Sequence, residues 1–224
     1  MIRFAASIMC ANQLELKNEL KRLEDAHIDM LHCDVMDGVF VNNLAMGPYV
    51  IERIKKFTKI PLDIHLATVE PEKYIKMFLP LKPEFISFHA ETTKEYYKLV
   101  RLIKDEGIKA SIAISPDTPI EVIKNILKDL DMVLMMTVNP GFSGQSFKPY
   151  VVEKIKRVKE ICSNENINPL IEVDGSINEK TIPKVVEAGA NVLVLGTSSL
   201  FNDNIVNYSN YIEKIKNSLQ EVFI

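Results

Sequence analysis

The chain has 224 residues, of which 47% are hydrophobic and 25% are charged, and its formal net charge is −3. This balance excludes a disordered chain, and without a basic surplus the chain has no electrostatic footprint of a nucleic-acid or membrane-surface binder. We therefore expect a folded protein whose partner is a small molecule, with neither nucleic acid nor membrane as a partner.

Cysteine usage and the amino-terminal sequence indicate a compartment. Cys10, Cys33 and Cys162 are widely spaced and form no C-x-x-C pair, which favours reduced thiols over a disulfide framework or a thiolate zinc site. Residues 1–10 lack the apolar stretch of a signal peptide, and no apolar run approaches the roughly 20 residues that cross a bilayer. These features predict a soluble, cytoplasmic protein.

Short β-branched or apolar segments alternate with longer amphipathic ones along the whole chain. Strict alternation predicts an α/β fold with a parallel sheet covered by helices. Eight units of each kind fit a compact (β/α)8 TIM barrel better than a doubly wound sheet, so we predict one catalytic barrel domain over residues 1–224. The predicted strands are RFAASI (3–8), MLHCDV (30–35), LDIHLA (62–67), FISFHA (85–90), KASIAI (109–114), MVLMMTV (132–138), LIEVDG (170–175) and NVLVLGT (191–197).

Polar side chains lie near the carboxyl ends of the predicted strands, where TIM-barrel active sites are built. They are Ser7, His32, Asp34, His65, His89 and Asp174. Strand side chains alternate between faces, so His32 and Asp34 share the face opposite Leu31 and point into the barrel. Two histidines and two aspartates that converge form a ligand set for a divalent cation. We predict one cation per chain, Zn²⁺ before Mn²⁺, Fe²⁺ or Co²⁺, on His32, Asp34, His65 and Asp174.

Two further carboxylates lie one step deeper on the same inward faces. Asp63 precedes His65 and Glu172 precedes Asp174 on their strands, so both could orient the imidazoles as hydrogen-bond acceptors. The alternative interpretation of all these groups is an internal salt-bridge network without a metal.

Glycine-rich turns follow the sixth, seventh and eighth predicted strands, in VNPGFSGQSF, DGSIN and GTSSLFN. Glycine permits close backbone approach, and helix N-termini after these strands supply N–H donors, so the turns predict a phosphate site. Met36 and Met136 near the same mouth fit either core packing or a cap that excludes water. The predicted substrate-binding residues of this region are Met36, Met136, Gly141, Gly144, Gly175, Ser176, Gly196 and Thr197.

These groups together indicate a reaction class. A cation, two inward carboxylates and a phosphate anchor suit a sugar phosphate whose carbonyl oxygen meets the cation, which acidifies the adjacent carbon. One carboxylate can remove a proton from that carbon, and a carboxylate on the opposite face can return one and invert the centre. The pattern favours epimerisation through an enediolate, whereas a single base would favour decarboxylation, aldol chemistry or isomerisation.

Six motifs, in order along the chain, resemble the ribulose-phosphate 3-epimerase family: SIMCAN, LHCDVMDGVFVNN, LDIHLATVEP, SFHAET, MTVNPGFSGQSF and EVDGSIN. The resemblance implies a (β/α)8 isomerase with the four cation ligands named above, Asp34 and Asp174 as the acid–base pair, and Ser7 as a substrate contact. By analogy with the family we expect a homo-oligomer, a dimer or a hexamer. The chain departs from the family at Asn42, where proline is common, and at Ala67, where a capping methionine is common.

The motifs also bear on the substrate. SIMC, HAET, EVDGSIN and GTSSLFN resemble the branch that converts D-allulose 6-phosphate to D-fructose 6-phosphate, and we expect that reaction. The alternative is conversion of D-ribulose 5-phosphate to D-xylulose 5-phosphate. A lysine-based decarboxylase or aldolase would carry D-x-K-x-x-D at the third strand, where this chain has His65. A non-catalytic sugar-phosphate-binding barrel is the third possibility, and it would not need both aspartates.

Overall fold

The computed structural model describes the backbone of residues 2–222 and the side chains of residues 2–219. In this part of the chain no helix is both long enough and apolar enough to cross a bilayer. The strands of the described residues are β1 (Arg3–Ser7), β2 (Met30–Asp37), β3 (Leu44–Ala45), β4 (Leu62–Ala67), β5 (Phe85–His89), β6 (Lys109–Ile114), β7 (Met132–Met136), β8 (Leu170–Asp174) and β9 (Val192–Leu195). The α-helices are α1 (Leu16–Asp25), α2 (Pro48–Phe57), α3 (Pro71–Phe78), α4 (Tyr96–Lys104), α5 (Val151–Asn164), α6 (Ile182–Glu187) and α7 (Tyr208–Val222).

All strands except the two-residue β3 form a closed parallel barrel. The sheet runs β1-β9-β8-β7-β6-β5-β4-β2, and β1 also pairs with β2, which closes the ring. The first strand therefore has a partner on each side, with Arg3 opposite Val192 and Ala5 opposite Met30. β3 pairs antiparallel with the end of β2. The predicted TIM barrel and its eight strands are confirmed.

Side-chain alternation along each strand separates two apolar regions. On β2, Leu31, Cys33 and Val35 face outward and pack with the helices in the large core cluster. The inward side of the barrel is closed at its amino-terminal end by a smaller cluster, which comprises Ala5, Met30, Phe85, Met132, Val192 and Val194. Because apolar side chains fill that end, the polar inward side chains are confined to the middle and the mouth of the barrel.

The crossover between β6 and β7 differs from the predicted α-helix. It contains two 3₁₀-helices, Ile120–Val122 and Lys124–Asp129. Ile120, Ile123 and Ile126 are buried and recur every third residue, which matches the three residues per turn of a 3₁₀-helix and places all three on one face. The chain thus covers this side of the barrel with an element that is tighter than an α-helix.

Candidate active site

The mouth of the barrel collects polar side chains from strands that are far apart in the sequence. Ser7, Asp34, His65 and Asp174 line one cavity of about 350 Å³ at the carboxyl ends of β1, β2, β4 and β8. His32 is fully buried directly beneath them. These are the positions at which the alternation of the strands predicted a functional site.

The four predicted cation ligands come together in space. One donor atom from each of His32, Asp34, His65 and Asp174 lies within 4.8 Å of the others. His65 Nδ1 is 3.0 Å and His32 Nε2 is 3.4 Å from Asp34 Oδ1, and His32 Nε2 is 4.0 Å from Asp174 Oδ2. The set supplies two imidazole nitrogens and two carboxylates from three strands, which is a donor set suited to a divalent transition cation.

The hydrogen bonding of His32 tests whether a cation fits this cluster. Its Nδ1 lies 2.6 Å from Asp63 Oδ2, so Nδ1 carries the hydrogen and donates it to that carboxylate. Nε2 points at Asp34 and Asp174 and finds no hydrogen-bond partner among the described residues. A buried imidazole nitrogen that faces two carboxylates without a hydrogen bond is stabilised by positive charge placed between them, which a divalent cation supplies. The residues therefore fit a divalent cation.

Charges in the cluster are strongly coupled. Burial lowers the pKa of His32, but Asp34 and Asp63 outweigh burial and raise the pKa well above its usual value. Burial raises the pKa of Asp34, yet His32 and His65 hold it well below the usual range. Burial is also the main cause that raises the pKa of Asp174 to about 6 and that of Glu172 well above its ordinary value. The carboxylates thus stabilise positive charge at the centre of the cluster.

Both deeper carboxylates, which the sequence suggested as acceptors for the imidazoles, lie at His32, and only Asp63 is within hydrogen-bond distance. Asp63 contacts His32 at 2.6 Å, and Glu172 Oε1 lies 3.6 Å from the same nitrogen, beyond hydrogen-bond distance. His65 instead has its second nitrogen, Nε2, 3.0 Å from His89 Nε2. His89 Nδ1 in turn lies 2.9 Å from Glu91 Oε2.

The sequence placed His89 at the mouth of the barrel without giving it a role, and it did not single out Glu91. The available signal was the H-x-E spacing inside SFHAET, directly after an inward-facing strand end. Strand periodicity ends at His89, however, so it could not indicate that the Glu91 carboxylate turns back toward the histidine.

The predicted substrate-binding residues all line the same cavity. They are Ser7, Met36, Met136, Gly141, Gly144, Gly175, Ser176, Gly196 and Thr197. Gly175 has φ +117°, and a Cβ atom added there would lie 2.4 Å from Val138 Cγ2 and 2.8 Å from the Val138 nitrogen, so no larger residue fits without displacement. The contacts of these cavity-lining residues with a substrate remain predictions.

Two loops meet across the mouth. Asn43 Nδ2 donates a hydrogen bond to the Gly141 carbonyl at 2.7 Å and so joins the loop after β2 to the loop after β7. Asn42, one of the two departures from the family pattern, is exposed. Ala67, the other, is fully buried and packs with Met36 and Val41 beneath these loops.

Comparison with known proteins places the chain in a family. The description "Ribulose-phosphate 3 epimerase family" matches residues 3–201. "Ribulose-phosphate 3-epimerase" of Bacillus subtilis (strain 168) is 45% identical over 199 residues, which cover 88% of this chain and 92% of that protein. The protein of the same name from Synechocystis sp. is 39% identical over 216 residues, which cover 96% of this chain and 93% of that protein.

Solved structures agree on the architecture. "KGPDC from Streptococcus mutans" superimposes with a TM-score of 0.69 over 100% of both chains at 10% identity. A 3-hexulose-6-phosphate synthase from Salmonella typhimurium gives a TM-score of 0.66 at 12% identity, over 99% of this chain and 100% of that one. At these identities the likeness shows the fold alone.

Fold and site together therefore define a TIM-barrel isomerase that epimerises carbohydrate phosphates. The chain belongs to the ribulose-phosphate 3-epimerase family. The predicted family and enzyme class are confirmed.

Proposed function

We propose that the enzyme interconverts D-ribulose 5-phosphate and D-xylulose 5-phosphate by inverting C3. The observation that carries the reaction type is the pair of carboxylates, Asp34 and Asp174, that β2 and β8 bring to the same cluster of donor atoms at the cavity floor. Relatives at 39–45% identity bear the name ribulose-phosphate 3-epimerase, which supports the pentulose substrate over the hexulose phosphate that four motifs favoured.

The reaction proceeds through phosphate binding, removal of the C3 proton and return of a proton to the opposite face. The phosphate group binds at the turns containing Gly175, Ser176 and Gly196, which places C3 of the sugar at the cavity floor. One carboxylate of the Asp34–Asp174 pair takes the C3 proton, an enediolate forms, and the other carboxylate delivers a proton to the opposite face. In the reverse direction the two carboxylates exchange roles.

Neighbouring side chains prepare the carboxylates for this chemistry. Ser7 Oγ donates a hydrogen bond to Asp34 Oδ2 at 3.0 Å and fixes the orientation of that carboxylate. Met36 and Met136 line the cavity with apolar surface beside the reacting groups, and they exclude water from the enediolate.

We further propose that His32, Asp34, His65 and Asp174 hold one divalent cation, with Zn²⁺ before Mn²⁺, Fe²⁺ or Co²⁺. The observation that supports this cation site is the buried His32 Nε2, which faces two carboxylates without a hydrogen-bond partner among the described residues. When bound, such a cation acts as a Lewis acid that stabilises the negative charge of the enediolate.

Substrate choice is tested by measuring kcat/KM for D-ribulose 5-phosphate and D-allulose 6-phosphate on the same enzyme preparation. We expect the pentulose phosphate to be preferred at least about tenfold, which requires about 1.4 kcal/mol of differential transition-state binding. A tenfold preference for D-allulose 6-phosphate would instead support the hexulose reaction. Epimerisation of neither substrate would overturn the proposed function.

A variant at the buried alanine sharpens the comparison. Ala67→Met restores the methionine that is common in the family at position 67, and it adds volume next to Met36. If the small side chain makes room for an additional carbon, the variant loses activity on D-allulose 6-phosphate more than on D-ribulose 5-phosphate.

A further inference from the structure

Both ring nitrogens of His65 are occupied, and this histidine begins a chain of contacts that leads away from the cluster. His65 Nδ1 lies 3.0 Å from Asp34 Oδ1, and Nε2 lies 3.0 Å from His89 Nε2. His89 Nδ1 continues the chain to Glu91 Oε2 at 2.9 Å. His65 and His89 are 1% and 0% exposed, so water cannot substitute for these partners.

Glu91, at the far end of this series of contacts, determines the direction in which the hydrogen bonds are donated. Glu91 Oε1 accepts hydrogen bonds from the Ser115 backbone N–H, at 2.7 Å, and from the Thr118 hydroxyl. Burial raises the pKa of Glu91, but hydrogen bonds from His89 and from the loop after β6 outweigh burial and lower the pKa to about 2. Glu91 is therefore an ionised carboxylate, and an ionised carboxylate accepts hydrogen bonds only.

The ionised Glu91 determines which nitrogens of His89 and His65 donate a hydrogen bond. His89 must carry its hydrogen on Nδ1 to donate to Glu91, so His89 Nε2 presents a lone pair. That lone pair accepts a hydrogen bond from His65 Nε2–H, which leaves the lone pair of His65 Nδ1 facing Asp34. The reverse direction would press a lone pair of His89 against the Glu91 carboxylate at 2.9 Å, and no cation donor set of the described residues includes that pair. At the other end, the His65 Nδ1 lone pair faces the Asp34 carboxylate at 3.0 Å within the proposed donor set, where a bound cation would remove the repulsion.

We propose that Glu91, acting through His89, is a positioning residue that makes Nδ1 of His65 the cation-binding nitrogen. The inference rests on the cation site of the proposed function and extends it to a carboxylate that lies outside the ligand set. Its chemistry follows the general behaviour of metal-bound histidines, whose second nitrogen is held by an acceptor that fixes the tautomer. Here the acceptor is a histidine, and its tautomer is fixed by Glu91.

The surroundings hold Glu91 and His89 in place. Lys154 on α5 donates hydrogen bonds to the carbonyls of Ser115 and Thr118, at 2.8 and 2.7 Å, and so shapes the loop that contacts Glu91. The Phe40 ring covers His89 with 4.7 Å between ring centroids. The Glu91 carboxylate is thus positioned by a loop that makes no hydrogen bond to the four proposed cation ligands in the described part of the chain.

The test compares cation affinity and histidine tautomers in matched variants. Protein freed of metal by chelation is titrated with Zn²⁺ against a chromophoric chelator for wild type, Glu91→Ala, Glu91→Gln, Thr118→Val and Glu95→Ala. Thr118→Val removes a loop contact of Glu91 while keeping the contact with His89. Glu95→Ala removes an exposed carboxylate from the loop after β5, which also contains Glu91, and serves as the control. Ring ¹H–¹⁵N correlation spectra of the Zn²⁺-loaded proteins report which nitrogens carry hydrogen.

We expect Glu91→Ala to weaken Zn²⁺ binding by about tenfold or more, the range seen when partners of metal-bound ligands are removed. Glu91→Gln falls between Ala and wild type, because its single carbonyl oxygen cannot serve both His89 and the loop. Thr118→Val and Glu95→Ala retain near wild-type affinity. In the wild-type spectrum His89 is protonated at Nδ1 and not at Nε2, and Glu91→Ala abolishes that preference.

Four results would overturn the inference. Wild-type protein that binds one Zn²⁺ while Glu91→Ala binds it equally well would overturn the role of Glu91 alone. Equal losses in Thr118→Val and Glu91→Ala, or a wild-type His89 protonated at Nε2, would assign Glu91 to loop structure instead. Wild-type protein that fails to bind Zn²⁺ would overturn the cation proposal and this inference together, so the two failures are distinguishable.

Discussion

The two carboxylates at the cavity floor are held very differently. Both oxygens of Asp34 have partners, because Oδ2 accepts from Ser7 at 3.0 Å and Oδ1 contacts His65 at 3.0 Å. The side chain of Asp174 is 18% exposed to the cavity and makes no hydrogen bond to another described group. Asp34 is thus held by protein groups at both oxygens, whereas the Asp174 carboxylate is held by none of the described groups.

At this residue scale we expect Asp34→Asn and Asp174→Asn each to lower kcat by at least about 10²–10⁴-fold, because each removes a proton carrier. The amide keeps the shape of the carboxylate, so the barrel persists. Steady-state kinetics with a circular dichroism spectrum of each variant provides the measurement. Asp105→Asn, an exposed carboxylate on the barrel surface, is the control. Near wild-type turnover in either active-site variant would contradict the two-carboxylate mechanism.

Gly175 allows a second prediction for a single residue. Gly175→Ala forces a Cβ atom to within 2.8 Å of the Val138 backbone nitrogen at a φ of +117°. We expect a loss of unfolding free energy on the order of 1–3 kcal/mol, together with a lower kcat/KM. Gly47→Ala, where an added Cβ meets nothing within 4 Å, is the matched control in thermal unfolding and kinetics. Equal stability of the two variants would show that the backbone at position 175 tolerates a side chain.

The cluster of proposed cation ligands could be predicted from the sequence, whereas the contacts of Glu91 that support it could not. Alternation along β2, β4 and β8 fixes which side chains face inward, so His32, His65 and Asp174 could be assigned from sequence. Glu91 depends on Ser115 and Thr118, which are 24 and 27 residues away in a loop without periodicity. No local pattern encodes such a contact.

At the scale of elements, strands were easier to predict than crossovers. A barrel strand is buried on both faces and appears in the sequence as a short apolar run, as β7 does. The crossover after β6 has buried isoleucines at a spacing that an α-helix and a 3₁₀-helix share, so the pattern could not separate the two. Packing against the barrel decides between them.

Glu91 also links two elements, the loop after β5 and the loop after β6, and this link depends on pH. The folded-state pKa of about 2 lies below the ordinary value of 4.5, so the ionised group stabilises the fold above about pH 4.5. The contribution is lost as the pH falls from 4.5 toward 2. We therefore expect Glu91→Gln to be less stable than wild type near pH 7, with a difference that shrinks below about pH 4.5.

Urea unfolding of metal-free wild type and Glu91→Gln at several pH values measures this difference. Glu95→Gln is the control, because Glu95 lies on the loop after β5 with Glu91 and its side chain is 63% exposed. A stability difference that is constant from neutral to acidic pH would show that the Glu91 charge does not join the loops.

At the scale of the whole molecule, the closed barrel fixes the separation between two anchoring regions. The predicted cation ligands lie on β2, β4 and β8, and the predicted phosphate contacts lie on the turns after β7, β8 and β9. Because the strands are hydrogen-bonded to one another around the ring, neither region can shift toward the other to suit a different ligand. Binding energy at the phosphate end can therefore orient the reacting carbon.

This geometry predicts a strong dependence on the substrate phosphate. We expect kcat/KM for free D-ribulose to be lower than that for D-ribulose 5-phosphate by several orders of magnitude, because the free sugar loses the anchor that positions C3. Inorganic phosphate should act as a competitive inhibitor of the phosphorylated substrate. Comparable kcat/KM values for the two sugars would refute the anchor.

The pairing of β1 with β9 has a consequence for synthesis of the chain on the ribosome. Arg3 pairs with Val192, so the first strand made waits for the last one before its second edge is satisfied. At about 5–20 residues per second this interval lasts roughly 10–40 s. Until β9 has been made, β1 can pair with β2 alone, and a sheet with open edges invites pairing with other chains. We therefore expect slower translation over this interval to increase the share of newly made protein that pairs with other chains before the barrel closes.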